Sequence, residues 1–148
     1  MKTIALGTDH AGFHYKEAVK KHLQNKGIKI LDFGSDSDER CDYPDFVAPA
    51  SRAVANGDAD GAVVFGGSGN GEAMVANKIP GIRCGVCWNT TSAKLTKQHN
   101  DANVISIGER MVTEEVALQI VDAWMESTFE GDRHIARIAK VDALLPKV

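Results

Sequence analysis

Short apolar runs alternate with stretches in which apolar positions recur every three to four residues, the signatures of strands and of amphipathic helices. Lys2–Gly7 predicts a first strand. Phe13–Lys26 predicts a helix, with Tyr15, Ala18, Val19 and Leu23 on one face and Lys16, Lys20 and Lys21 off it. Gly27 is suited to end that helix. Ile28–Asp32 predicts a second strand, and Phe33–Tyr43 a polar loop. The next helix runs to about Asn56, its start contested by Pro44 and Pro49, since only one proline fits the first turn without a kink. Gly61–Phe65 is apolar throughout, as in a strand covered on both faces. A glycine-rich loop and a short helix through about Lys78 follow. Arg83–Trp88 predicts a fourth strand, Thr91–Asn100 a helix and Val104–Ile107 a fifth strand. Val112, Val116, Ala117, Ile120, Val121 and Trp124 mark a periodic helix, and Asp132–Leu144 a last one.

This alternation predicts an α/β fold: five strands in a parallel sheet with helices on both faces. No repeat, linker or low-complexity stretch divides the chain, so residues 1–148 read as one domain. Ligands of such sheets bind beyond the carboxyl ends of the strands. That selects Thr8–Gly12, Gly66–Glu72, Asn89–Thr90 and Gly108–Arg110.

Composition changes this picture only by exclusion. A net charge of −3 favours neither nucleic acid nor an anionic membrane, so any anion site is local. The N-terminal apolar stretch is too short for a signal peptide, and no run reaches the ~18 apolar residues of a transmembrane helix. The expectation is a soluble cytoplasmic protein. Cys84 and Cys87 form a C-x-x-C, but on a strand residues three apart point to opposite faces. They read as buried structural thiols, neither redox pair nor metal site.

The loop Gly66-Gly67-Ser68-Gly69-Asn70-Gly71-Glu72 lies between a strand and a helix. Its glycines allow a sharp turn that brings N–H groups close to a ligand. It fails the dinucleotide fingerprint, because Glu72 stands where the third glycine belongs. It fails the phosphate loop, because Glu72 replaces the lysine. It fails the serine-hydrolase elbow, because Asn70 replaces the last glycine. A ring of amide donors beside one carboxylate remains. That pairing suits proton abstraction next to a carbonyl, with the amides stabilising an enediolate oxygen. The competing reading makes Glu72 a solvated first-turn carboxylate facing the helix dipole. A helix N-terminus also lowers a carboxylate's pKa, so a base at position 72 requires burial to raise it.

Asp9 and His10 follow the first strand, where Asp9 reads as a helix cap, a ligand contact or both. His99 and Asn100 end a helix; a protonated His99 would complement that end. Arg110 follows the fifth strand. Arg133, His134 and Arg137 open the last helix, where the two arginines share a face and fit one anion. Cations at a helix N-terminus oppose the macrodipole, so an anionic ligand or a partner subunit is expected to offset them.

Taken together, G-x-D-H-A-G at Gly7–Gly12, D-Y-P at Asp42–Pro44, G-G-S-G-N-G-E at Gly66–Glu72, K-x-P-G-I-R at Lys78–Arg83, Q-H-N-D-A-N-V at Gln98–Val104 and R-H-x-x-R at Arg133–Arg137 resemble the ribose-5-phosphate isomerase B family. The resemblance implies a doubly wound, Rossmann-like α/β/α sandwich, a homodimer or homotetramer, and an active site shared between subunits. It implies interconversion of ribose 5-phosphate and ribulose 5-phosphate through an enediolate, without metal or cofactor. Many members carry a cysteine base at the position of Gly66; the chain resembles the branch that uses a glutamate at the position of Glu72. On that basis Glu72 is the base, His99 opens the sugar ring and Ser68 assists proton traffic between substrate oxygens. Asp9 and His10 contact sugar and phosphate. Gly67, Ser68, Gly69, Asn70, Gly71 and Asn100 bind the reacting oxygens. Arg110, Arg133 and Arg137 hold the phosphate, with His134 nearby. Related enzymes act on galactose 6-phosphate or allose 6-phosphate; the D-H, Q-H-N and R-H-x-x-R residues favour the pentose. A non-catalytic anion-binding module is the alternative from another class.

Overall fold

The computed structural model describes residues 1–146, so the last two residues of the predicted domain lie outside the described part. Five strands form one parallel sheet: β1 (Thr3–Thr8), β2 (Lys29–Asp32), β3 (Gly61–Gly66), β4 (Cys84–Val86) and β5 (Val104–Gly108). Their spatial order is β2-β1-β3-β5-β4. The helices are α1 (Phe13–Asn25), α2 (Pro44–Ala55), α3 (Asn70–Ala76), α4 (Thr90–Asn100), α5 (Glu114–Glu126) and α6 (Arg133–Asp142). A 3-10 turn, His10–Gly12, leads into α1.

Two cores explain the layers. On one face Ile4, Leu6, Val63, Phe65, Ile105 and Ile107 meet Val19 and Leu23 of α1, Ala93 of α4, and Ile120 and Trp124 of α5. On the other, Ala5, Ala62, Val64 and Val104 meet Val47 and Ala50 of α2 and Ala76 of α3. Alternating residues of one strand thus feed opposite cores, which is why β3 reads as continuously apolar. The chain leaves β1 toward β2 on one side and returns to β3 on the other. The ends of β1 and β3 therefore flank the switch point where such sheets bind ligands.

Local chemistry settles several boundaries. Pro44 takes the first turn of α2 and Pro49 lies inside the helix. Asn89 caps α4, exchanging hydrogen bonds with Ser92, so this loop serves the helix. Thr113 caps α5, whose start lies beyond Val112. Strand β4 is shorter than the predicted Arg83–Trp88, and Trp88 is 59% exposed. Cys87 follows it, buried, with its thiol pushed up to about 12 by burial. Burial also raises the Cys84 thiol, so neither is a reactive thiolate.

Lys16, expected away from the core, is fully buried. Its Nζ lies 2.9 Å from both Asp32 oxygens and donates to the Ser35 carbonyl, also at 2.9 Å. Burial by itself would raise the Asp32 carboxyl. Hydrogen bonds from Lys20 and Lys16, with one from the Gly34 N–H, outweigh it and hold the group below its usual value. His22 is half-buried, with Nε2 2.8 Å from Asp122 Oδ1. No helix among the described residues is long and apolar enough to cross a membrane.

Candidate active site

The end of β1 is shaped by its own side chains. Asp9 is the N-cap of the 3-10 turn, its Oδ1 accepting from the Ala11 N–H at 2.9 Å and the Gly12 N–H at 3.2 Å. Asp9 is buried at 6% exposure. His10 turns back to the loop before α2, its Nδ1 within 3.3 Å of the Cys41 amide nitrogen and 3.2 Å of its carbonyl.

The glycine loop is clipped to the loop after β5. The carbonyls of Gly66 and Gly67 accept from the N–H groups of Glu109 and Arg110 at 2.8 and 3.0 Å. The Gly69 carbonyl accepts from the Ser106 hydroxyl at 2.7 Å. Gly69 caps α3 with a φ of 81°, a left-handed conformation that favours glycine. The carbonyls at 66, 67 and 69 are thus occupied by donors from β5 and its loop. Ser68 and Asn70 are exposed, with the Asn70 N–H 3.3 Å from Ser68 Oγ.

Glu72 is 4% exposed, although it stands in the first turn of α3. A Cβ placed on Gly66 would lie 1.8 Å from Glu72 Oε1, so the carboxylate fills the space of a side chain at position 66. Burial raises the Glu72 pKa and the neighbouring Asp9 charge adds to it, against the lowering effect of Glu72's own backbone N–H. Desolvation therefore overrides the helix N-terminus. Gly67 and Gly71 are cradles too: added Cβ atoms would meet the Arg110 guanidinium at 2.9 Å and the Tyr43 ring and hydroxyl at 2.6 Å. Asp9, His10, Tyr43, Gly67, Ser68, Gly71, Glu72 and Arg110 line one cavity of about 420 Å³. Tyr43 had no predicted role; its only signal was the D-Y-P segment.

The remaining predicted residues assemble elsewhere. Helix α4 runs from the end of β4 back to the start of β5, so His99 and Asn100 lie at the opposite edge of the sheet from the glycine loop. Helix α5 returns to that same edge. The Glu130 N–H binds the Gln98 carbonyl at 3.0 Å and brings α6 to the end of α4. There the rings of His99 and His134 stack with centroids 4.6 Å apart and an 18° tilt. Glu130 Oε2 is 3.9 Å from Nε2 of each. Burial, and then Arg133, His99 and Arg137, lower the His134 pKa against the pull of Glu130. Arg133 and Arg137 project from α6, exposed.

Ligand atoms of His99, Glu130 and His134 lie within 4.8 Å of one another. An ion binds near the plane of an imidazole, however, and two nearly parallel stacked planes share no such point, so a metal there requires one ring to turn. One chain therefore separates the predicted clamp, with Arg110 beside Gly67 and Arg133 and Arg137 on α6. Asn70 lines a different groove of about 660 Å³ with Met74, Val86, Leu144 and Leu145. Asn100 lines a third cavity with Arg83 and Ile138.

The geometry has close counterparts. The family model described as Ribose/Galactose Isomerase matches residues 4–141. The Escherichia coli protein named ribose-5-phosphate isomerase B is 44% identical over 144 residues, covering 97% of each chain. The structure of Clostridium thermocellum ribose-5-phosphate isomerase B is similar with a TM-score of 0.95 and 40% identity, covering 96% of each chain. That of the Mycoplasma genitalium isomerase B, determined with bound ribulose-5-phosphate, has a TM-score of 0.91 and 34% identity, covering 96% of this chain and 95% of that one. By sequence and by fold, the chain belongs to the ribose/galactose isomerase family.

Proposed function

We propose that the protein is an aldose–ketose isomerase interconverting ribose 5-phosphate and ribulose 5-phosphate in the cytoplasm. The observation that carries this reading is the buried Glu72 carboxylate, with its raised pKa, in a cavity lined also by Gly67, Ser68, Gly71 and Arg110. A base tuned upward by desolvation suits abstraction of a weakly acidic proton next to a carbonyl. The relatives' names favour the pentose over a hexose phosphate.

Glu72 takes the C2 proton of the open-chain aldose and returns it to C1. Between these transfers the former carbonyl oxygen carries enediolate charge, stabilised by amides of Gly67–Gly71. Asn70 and Asn100 complete the binding of the two reacting oxygens. Ser68 relays a proton between O1 and O2. His99 opens the ring, giving a proton to the ring oxygen and accepting one from the C1 hydroxyl. Asp9 holds the sugar. Arg110, Arg133 and Arg137 neutralise the phosphate, with His10 and His134 beside it.

Because His99, Asn100 and α6 lie at the far edge of the sheet, this assignment requires a second copy of the chain, in a homodimer or homotetramer. The second copy would bring its His99 cluster to the Glu72 cavity. The exposed apolar residues Met74, Ile135, Val141 and Leu144 suit such an interface. Ketose formation from ribose 5-phosphate, followed by absorbance, tests the function. Glu72→Gln should lower kcat by at least ~10² while KM stays close to the wild-type value. A variant with near-normal kcat would remove Glu72 from the mechanism, and binding without turnover in the wild type would favour the anion-binding module.

A further inference from the structure

Arg83 belongs to the Lys78–Arg83 segment, to which no step above assigns work, yet its side chain joins both helices of the second cluster. Helix α4 ends at Asn100, and the last carbonyls of a helix have no partner within it. Arg83 supplies one: Nε donates to the Asn100 carbonyl at 2.8 Å and Nη2 to the Asp101 carbonyl at 3.0 Å. Its Nη1 reaches the Asp142 carboxylate, at 3.1 Å from Oδ1 and 2.9 Å from Oδ2. Asp142 is the last residue of α6, where a carboxylate opposes the macrodipole unless a cation offsets it. The backbone beneath is fixed as well, since the Arg83 N–H donates to Asn103 Oδ1 at 2.9 Å and the Asn103 N–H returns to the Arg83 carbonyl at 3.2 Å.

We propose that Arg83 is a positioning residue that locks α6 to the end of α4 and so sets where the α6 cations stand relative to His99 and Asn100. Helix α6 is held at two points. In its first turn His134 stacks on His99, and at its end Asp142 grips Arg83. Two anchors fix both the tilt and the rotation of the helix, and with them the direction in which Arg133 and Arg137 project. The planar fork is what serves: its edges face carbonyls on one side and a carboxylate on the other, which a lysine ammonium cannot span. The inference rests on the isomerase reading of His99, Asn100 and the α6 arginines.

The experiment compares the full-length wild type with Asp142→Asn and Arg83→Lys. It measures kcat and KM for ribose 5-phosphate, inhibition by inorganic phosphate, thermal midpoint and oligomeric state. Asp142→Asn loosens only α6, so KM and the phosphate inhibition constant should rise together by roughly 3–10-fold, with kcat within about twofold. Arg83→Lys also abandons the α4 carbonyls, and its kcat should fall by ~10-fold as well. The proposal is overturned if both variants keep all three constants within about twofold of wild type, whatever happens to the thermal midpoint. Should Arg83→Lys not fold, the parallel rise of KM and phosphate inhibition in Asp142→Asn decides alone. A wild type without turnover would instead defeat the isomerase reading, and this inference with it.

Discussion

The cavity around Glu72 and the cluster around His99 sit at opposite edges of one sheet and are built in opposite ways. The first uses loops that leave β1, β3 and β5, tied to one another by backbone hydrogen bonds such as Glu109 N–H to the Gly66 carbonyl. Its carboxylate is desolvated and its glycines hold space for neighbouring side chains. The second uses helix ends, α4 and α6, held by a stacked histidine pair and by the Arg83 fork. One edge carries a buried, poorly solvated carboxylate; the other carries exposed cations. On the proposed isomerase reading neither half is sufficient alone, and the separation within one chain would make assembly part of the chemistry.

The comparison breaks most sharply at Gly66. Gly66→Ala places a methyl group where the Glu72 carboxylate now lies, 1.8 Å from Oε1. The carboxylate is the end of a flexible side chain and can swing aside, so folding should survive while kcat falls by ~10² or more. Steady-state kinetics beside a thermal melt checks this, and an alanine variant with full activity would show that the carboxylate acts from another position.

The next test mixes the two halves. Glu72→Gln and His99→Asn chains, each nearly inactive alone, should recover about a quarter of wild-type activity when unfolded and refolded together at equal amounts, because half of random dimers are mixed and each has one intact site. No recovery, with mixed dimers verified, would place both residues in the site of a single chain.

The smallest effect concerns stability and has a definite sign. The folded pKa of Glu72 is raised above its ordinary value of 4.5. Between those two values the native chain holds a proton that the unfolded chain has released, so stability falls as pH rises through the folded pKa. Above that window the ionised carboxylate costs stability, and well below 4.5 both states are protonated and the cost vanishes. Glu72→Gln should therefore raise the thermal midpoint near neutral pH and not at strongly acidic pH, as melts across the range would show. The acid limb of kcat/KM should correspondingly lie above the ordinary glutamate range.

Much of this was legible along the chain. The alternation of strand and helix patterns places Asp9, His10, Ser68, Glu72 and Arg110 after strands, and the structure gathers them into one cavity. The same alternation places His99 and Asn100 at the other edge, because residues that end a helix before a strand lie there. The family resemblance implied a site shared between subunits, but the motifs do not say which chain supplies His99 and Arg133. Glu130 carries no local pattern that distinguishes it from an ordinary loop residue, and Tyr43 carries only the D-Y-P segment. Lys16 reads as lying off the apolar face because a lysine ordinarily turns to water, whereas Asp32 and the Ser35 carbonyl satisfy its ammonium inside.

Sequence by itself determined the elements, the parallel sheet and which carboxylate, imidazole and guanidinium groups were on offer after the strands and at the helix ends, because periodicity and residue chemistry are local properties. Tertiary structure decided which of those groups meet. It removed Glu72 from water despite its place at a helix N-terminus, and it filled the space beside Gly66 with that carboxylate. It also sent His99, His134 and the α6 arginines to the far edge. Desolvation and proximity arise only from long-range packing, which no short stretch of the chain encodes.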